Sequence, residues 1–325
     1  MEPYQELEAR FGEFLGVDNV VCCSSGTAAV HLAFEALQLP PGSKVIVPDL
    51  CMIACPRAVT LAGLEPVFVD CGDDLNMDLN LFLETIDGPT VAVLFVHNYG
   101  RRCRFPRSWD DYLPSLRVVE DMAELHGIRP HRRTDAACWS FYKNKTVCGE
   151  EGGAVCFPSR EGAGYATRAR SLRSLGFTAA HDFWHDPRGH NYRLANLLAR
   201  PVLESLETFS AVDRAKRTLE ALYDEACPAE WRMSRRDAPW VYDFRVGGMT
   251  AEQQDRAVRK IQALGIPARH CFKPCHLQPE YRRCRVVSRG RAGVASKEVI
   301  YVPFSLAHGE EKMHKVFDAV KSVLV

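Results

Sequence analysis

The chain has 325 residues, 46% hydrophobic and 25% charged, the make-up of an ordinary soluble globular protein with material for one large core and a smaller one. No stretch is long and apolar enough to cross a bilayer, and the opening Met1-Glu2-Pro3-Tyr4-Gln5-Glu6 has neither the basic start nor the apolar run of a signal peptide. A cytoplasmic protein without a membrane partner is expected. Formal net charge is zero, yet residues 1–100 carry 14 acidic and 3 basic side chains, while residues 101–325 carry 38 basic and 27 acidic. The later excess suits an anionic ligand such as a phosphate or nucleotide. Its runs Arg101-Arg102-Cys103-Arg104, Arg132-Arg133 and Arg282-Arg283-Cys284-Arg285 also read as solvated loops. They lack the interleaved aromatics of a nucleic-acid groove, so nucleic acid is not an expected partner. The 13 cysteines are odd in number, scattered and without paired Cys-x-x-Cys spacing, which argues for reduced apolar side chains and against a metal. Cys22/Cys23, Cys51/Cys55 and Cys271/Cys275 are the pairs to check.

In chain order, Leu7, Phe11, Phe14 and Leu15 have helical spacing and predict an amphipathic helix over 2–15. Residues 20–23 read as a short strand, and Ser24-Ser25-Gly26-Thr27 opens a second helix over 28–37. A helix start built from small residues leaves N–H groups free for a phosphate, although Ser-Gly-Thr also serves as a plain cap. Apolar runs at 45–47, 67–69, 91–96 and 118–119 alternate with turns and helical segments, the pattern of a mostly parallel sheet covered on both faces. The last of these ends in Glu120-Asp121, where open α/β sheets place ligand-binding groups. Ser140-Phe141-Tyr142-Lys143-Asn144-Lys145 then meets Gly149-Glu150-Glu151-Gly152-Gly153, a glycine-rich turn able to hold a lysine where bulky side chains do not fit. A strand at 154–157 and an arginine-rich helix at 165–175 continue the larger unit. Residues 193–216 look helical, with Pro201 predicted to kink or restart the helix. A strand at 240–246, a helix at 251–264, another strand and a helix at 310–324 predict a small α+β domain. The division is placed at 1–207 for a large domain and 208–325 for a small one.

A lysine for a Schiff base and an aspartate for the pyridinium nitrogen are the two protein groups that pyridoxal phosphate (PLP) needs most. Lys145 and Asp121 are the candidates, although a lysine also serves as a surface group and a strand-ending aspartate as a helix cap. The order of the surrounding pieces decides. They are Ser24-Ser25-Gly26-Thr27-Ala28-Ala29, Val45-Ile46-Val47-Pro48, Val67-Phe68-Val69-Asp70, His97-Asn98-Tyr99-Gly100, Glu120-Asp121-Met122-Ala123-Glu124, residues 140–153, Asn191-Tyr192-Arg193-Leu194 and residues 274–279. This ordered set resembles the sugar aminotransferases of the DegT/DnrJ/StrS type, which have the aspartate-aminotransferase fold, and the resemblance covers most of the chain.

The resemblance implies a three-layer α/β PLP-transferase fold, with a mostly parallel mixed sheet in the large domain and a small C-terminal α+β domain. It implies pyridoxal 5'-phosphate as cofactor, amino transfer from glutamate to a nucleotide-linked keto sugar, and a homodimer. Carried over by residue, Lys145 binds the cofactor and moves the proton, and Asp121 keeps the ring nitrogen protonated. Ser140, Thr27 and Ala28 contact the phosphate, and Asn191 and Arg193 reach across a dimer interface to the neighbour's phosphate. Met52 stands where an aromatic ring usually stacks on PLP. Glu124 lies close to the ring where many members carry glutamine or histidine, which favours the perosamine-synthase-like members that aminate C4. His97, Tyr99, Arg269, His270 and His276 match motifs near the substrate, and each also serves as a structural hydrogen-bonding residue. Departures from the family pattern are Met52, Glu150 in place of a glycine, Pro201 within a helix, a shorter lead before the first helix and a short stretch between Thr208 and Trp240. A PLP-dependent lyase or decarboxylase of the same fold, acting on an amino acid or modified nucleotide, is the competing reading. A non-catalytic PLP-fold protein is disfavoured, because a binding module has no need of Lys145.

Overall fold

In a computed structural model that describes residues 1–87, 90–106, 115–177, 183–185, 188–305 and 310–324, two sheets carry the chain. The larger runs β1 (Val20–Cys23), β7 (Gly153–Cys156), β6 (Ala136–Ser140), β5 (Arg117–Asp121), β4 (Thr90–Val96), β2 (Lys44–Pro48), β3 (Glu65–Val69) and β10 (Val286–Val287). Pairing is parallel from β6 through to β10, and β7 is antiparallel to both β6 and β1. This is the mostly parallel mixed sheet the apolar runs predict. Along β6, Ala136 and Cys138 face a core shared with α2 (Gly26–Ala36), α3 (Ala54–Leu61) and α5 (Gly162–Arg173). Ala137 and Trp139 face the opposite core, under α1 (Pro3–Leu15) and α6 (Asn196–Ala226). That two-residue alternation is what a sheet buried on both faces requires. A shorter helix, α4 (Leu79–Thr85), covers the β2–β4 end through Leu81 and Phe82.

The smaller sheet is antiparallel, β8 (Val241–Arg245), β11 (Val299–Pro303) and β9 (Arg269–His270), and packs on α7 (Ala251–Ala263) and α9 (Glu310–Lys321). A helix between, α8 (Arg291–Glu298), is held to the end of β3, where Asp70 accepts the N–H groups of Arg289, Arg291 and Ala292 at 2.7–2.9 Å. The 31-residue α6 gives Val202, Leu203 and Leu206 to the core under the large sheet and Leu219 and Tyr223 to the core of the small one. It runs through Pro201 unbroken, so the predicted restart does not occur. Pro201 has no N–H to donate to the carbonyl of Leu197, a residue 79% exposed in the first turn of the helix, where the loss of one bond is easiest to bear.

A buried ion network ties the turn after β4 to β8. Arg101 holds both Asp243 oxygens at 2.8 and 3.0 Å, and Arg236 reaches Asp243 and Glu220. Asp243→Ala leaves two buried guanidinium groups short of their carboxylate and is expected to destabilise the chain by about 3–5 kcal/mol, measured by urea unfolding. All 13 cysteines are free thiols, 11 of them buried, in keeping with their use as apolar side chains. No helix among the described residues is long and apolar enough to cross a membrane.

Candidate active site

Parallel strands end on one side of a sheet, and here that side collects the chemistry. Asp121 is the last residue of β5 and Ser140 the last of β6. Beyond Ser140 the chain turns tightly: Phe141 N–H donates to the Gly152 carbonyl, Gly149 N–H to the Phe141 carbonyl and Lys145 N–H to the Tyr142 carbonyl, each at 2.8 Å. Two glycines let the start of α2 approach this turn. A Cβ at Gly153 would stand 2.4 Å from the Ser25 carbonyl oxygen, and one at Gly26 2.7 Å from Ser140 Cβ. Glu150 is exposed.

The result is a cavity of about 340 Å³ that brings together Thr27, Met52, His97, Asp121, Glu124, Ser140 and Lys145. Lys145 Nζ lies 3.4 Å from Glu124 Oε1 and 4.1 Å from the centre of the Trp240 ring. Asp121 is held by two donors, the Ala123 N–H on Oδ1 at 2.9 Å and the Cys55 thiol on Oδ2 at 3.0 Å. The other Glu124 oxygen accepts the Tyr99 N–H at 2.7 Å, offered by a tyrosine at φ 55°, a backbone region side-chain-bearing residues seldom enter. Burial pushes the Glu124 carboxyl up to about 7, against the opposing pull of Lys145 and the Tyr99 amide. Behind Lys145, burial and the nearby lysines bring the His126 imidazole down to about 3, and burial brings Lys216, which donates to Thr146 Oγ1 at 3.1 Å, down to about 8. Met52, which lines the cavity, is 52% exposed.

Other expected residues lie elsewhere or are already engaged. The Ala28 N–H donates to the capping Ser25 Oγ at 3.1 Å. His97 borders the cavity, but its Nδ1 accepts the Cys103 N–H at 2.9 Å, so Nε2 donates to Glu120, 2.7 Å away. Tyr99 is fully buried, with its hydroxyl 3.4 Å from Cys271 Sγ. His276 is bound to Asp49 through both its N–H and Nδ1, and His270 lies 3.4 Å from Asp255 on the second unit, beside exposed Arg269. Asn191 and Arg193 are exposed and do not border this cavity, although the Tyr192 carbonyl between them accepts the Ser24 N–H at 2.8 Å. Trp240, Phe272 and Tyr301 complete the wall and were not singled out by the sequence. A wider cleft of about 850 Å³ elsewhere mixes Asp73, Asp78, Arg232 and Arg245 without a lysine, so the chemistry points to the smaller one.

These residues fit PLP. The cavity holds a lysine, a fixed carboxylate and the first residues of α2, Gly26 and Thr27, where a helix leaves N–H groups for a phosphate. The raised Glu124 also gives a sign. Its folded-state proton affinity exceeds the ordinary glutamate value of 4.5, so the folded chain binds the extra proton between about pH 4.5 and 7 and loses stability as pH rises through that window. Glu124→Gln is expected to flatten this fall in the cofactor-free chain, with a gain of at most about 3 kcal/mol at pH 8 and little change at pH 4. Thermal melts of both proteins across pH 4–8 check it, and parallel curves would refute the assignment.

The sequence pattern of the DegT/DnrJ/EryC1/StrS aminotransferase family matches residues 2–321. Among similar proteins, a GDP-perosamine synthase of Caulobacter vibrioides is 29% identical over 339 residues, covering 98% of this chain and 90% of its own. A UDP-N-acetyl-3-dehydro-alpha-D-glucosamine 3-aminotransferase of Acidithiobacillus ferrooxidans is 32% identical, covering 98% and 88%. Among solved structures, Streptomyces venezuelae DesV superimposes with a TM-score of 0.85 at 27% identity, over 99% of this chain and 89% of that one. A Brucella abortus member of the family gives 0.84 at 24% identity, over 98% and 90%. With Lys145 and Asp121 at one cavity on this fold, the chain belongs to the DegT/DnrJ/EryC1/StrS family and is a PLP-dependent aminotransferase.

Proposed function

We propose that the enzyme moves an amino group from glutamate to the keto carbon of a nucleotide-linked sugar, at C4 as in the perosamine synthases, working as a cytoplasmic homodimer. The observation that carries the reading is Lys145 Nζ placed 3.4 Å from Glu124 in the cavity that also holds Asp121. Bound PLP would supply an electron sink for proton loss at the amine-bearing carbon. The chain's own residues do the rest. Asp121, fixed by Ala123 and Cys55, pairs with the ring nitrogen and favours its protonated form. Lys145 Nζ takes the proton from one carbon and returns it to another. Glu124, with a proton affinity near neutrality, holds or releases a proton beside Nζ without leaving the site. Thr27, Ser140 and the start of α2 orient the phosphate, and of the substrate-side candidates His97 borders the cavity, while Tyr99, Arg269, His270 and His276 stand outside its lining.

Residues 1–207 form the cofactor-binding unit and 208–325 the smaller one, a division supported by α6 giving its early turns to one core and its last turns to another, although β10 returns from the second part to the edge of the larger sheet. Sugar specificity is tested by converting the enzyme with glutamate and then adding GDP-linked 4-keto or UDP-linked 3-keto sugars. Return of the original cofactor absorbance with the 4-keto sugar is expected. Release of carbon dioxide from an amino acid alone would instead favour a decarboxylase.

The dimer reading is supported by Asn191 and Arg193 being exposed and away from their own chain's cavity. Arg193→Ala is expected to weaken PLP binding by about tenfold, the loss of one charge-assisted phosphate contact. Mixed with Lys145→Ala at limiting PLP, it should recover about a quarter of the wild-type sites, since each hybrid dimer keeps one intact site. A monomer by sedimentation that binds PLP fully, or no recovery after verified subunit exchange, would place Arg193 on its own chain's surface.

A further inference from the structure

Away from the cavity, α2 carries side chains that amino transfer does not use. His31 and Glu35 lie one helical turn apart on the same face. His190 arrives from the segment ahead of α6, and its Nε2 lies 2.6 Å from Glu35 Oε2, while His31 Nε2 lies 3.7 Å from Glu35 Oε1. One donor atom from each of the three residues falls within 4.8 Å of the others. His31 is only 2% exposed, and its Nε2 is buried without a hydrogen-bond partner. The Glu35 carboxylate 3.7 Å away is beyond hydrogen-bond reach, and native interiors seldom leave a buried ring nitrogen without a partner. Its other nitrogen, Nδ1, lies 3.2 Å from the Tyr192 hydroxyl, and the Tyr192 ring stacks on His190 with centroids 4.7 Å apart.

We propose that His31, Glu35 and His190 bind a zinc ion that fastens α2 to the Asn191–Arg193 segment. Two imidazoles and one carboxylate are a zinc donor set, whereas calcium and magnesium call for oxygen throughout. Bonds of about 2.0–2.1 Å to a tetrahedral ion set donor atoms about 3.4 Å apart, so the three side chains need shift by little more than about 1 Å. A bound ion would select the tautomer in which Nδ1–H donates to the Tyr192 oxygen and the Nε2 lone pair meets the metal, the orienting partner that imidazole ligands normally have. His190 keeps 27% of its side chain exposed, which leaves an entry path and a fourth position for water. The cysteine spacing bears only on a thiolate site and says nothing against this one. The first residues of α2 line the cofactor cavity, so the ion braces one wall of the site from behind. The assignment stands whether or not the sugar substrate is the one proposed.

The test uses the full-length PLP-loaded protein, stripped with EDTA, equilibrated with zinc chloride or cobalt chloride and desalted. We expect one zinc per chain by elemental analysis, a melting temperature that climbs with zinc concentration, and a tetrahedral cobalt spectrum without the thiolate charge-transfer band. His190→Ala and Glu35→Gln are each expected to weaken zinc binding by more than about tenfold, with Cys51→Ser unchanged. Glu35→Gln keeps the size and an acceptor for His190, so it reports on the charge without removing the contact. Less than about a tenth of a zinc per chain, or binding unchanged in both variants, overturns the site. Loss in Cys51→Ser alone, or a thiolate band with cobalt, also overturns it by placing the ion on cysteines.

Discussion

Lys145→Ala is expected to yield a folded protein without the near-visible absorbance of bound cofactor, and with amino transfer reduced by more than about a thousandfold. The side chain sits over Trp240 at 4.1 Å and beside Glu124 at 3.4 Å, so it touches the cavity wall and contributes little to the core. Its loss leaves Glu124 with the Tyr99 N–H and with burial that favours the neutral acid, a state the interior accepts. Lys143, two residues earlier, is exposed and only brushes the Tyr142 ring at 5.9 Å, so Lys143→Ala should keep both colour and rate. Absorbance spectra before and after borohydride, together with circular dichroism, separate the outcomes. A borohydride-sensitive yellow Lys145→Ala protein would reject the assignment, and colour lost in Lys143→Ala alone would move it.

Asp121→Asn should separate binding from turnover. The amide still accepts the Ala123 N–H, so the residue stays at the end of β5, but it carries no charge to hold a proton on the ring nitrogen. PLP is expected to remain bound, while a single turnover with glutamate slows by at least about a hundredfold, about 2.7 kcal/mol in the barrier. The Cys55 thiol, which now donates to Oδ2 at 3.0 Å, would lose a charged acceptor, so a small fall in melting temperature should accompany the rate change. Stopped-flow spectra of the two proteins at saturating PLP decide the matter, and equal rates would remove Asp121 from the electron-sink role.

Much of this was legible in the residues because it depends on near neighbours. Apolar runs at β2, β3, β4 and β5 mark strands buried on both faces, and Asp121 and Ser140 are visible as strand ends. The glycines at 152 and 153 announce a turn that only a residue without Cβ can make so close to Ser25. Lys145 follows from its distance to that turn. Tertiary structure alone decided the rest. Trp240 stands under Lys145 only because β8 folds back from the second unit, and nothing within a few residues of Trp240 marks it. The Glu124 proton affinity follows from burial beside Lys145, a property of the assembled cavity. At Pro201 local rules see the lost N–H and not its place near the start of a long helix anchored in two cores, so the helix runs on where a restart is expected. His190 meets Glu35 across 155 positions of sequence, and a contact of that range leaves no local pattern, because the topology of the sheet and not the spacing of the residues brings its partners together.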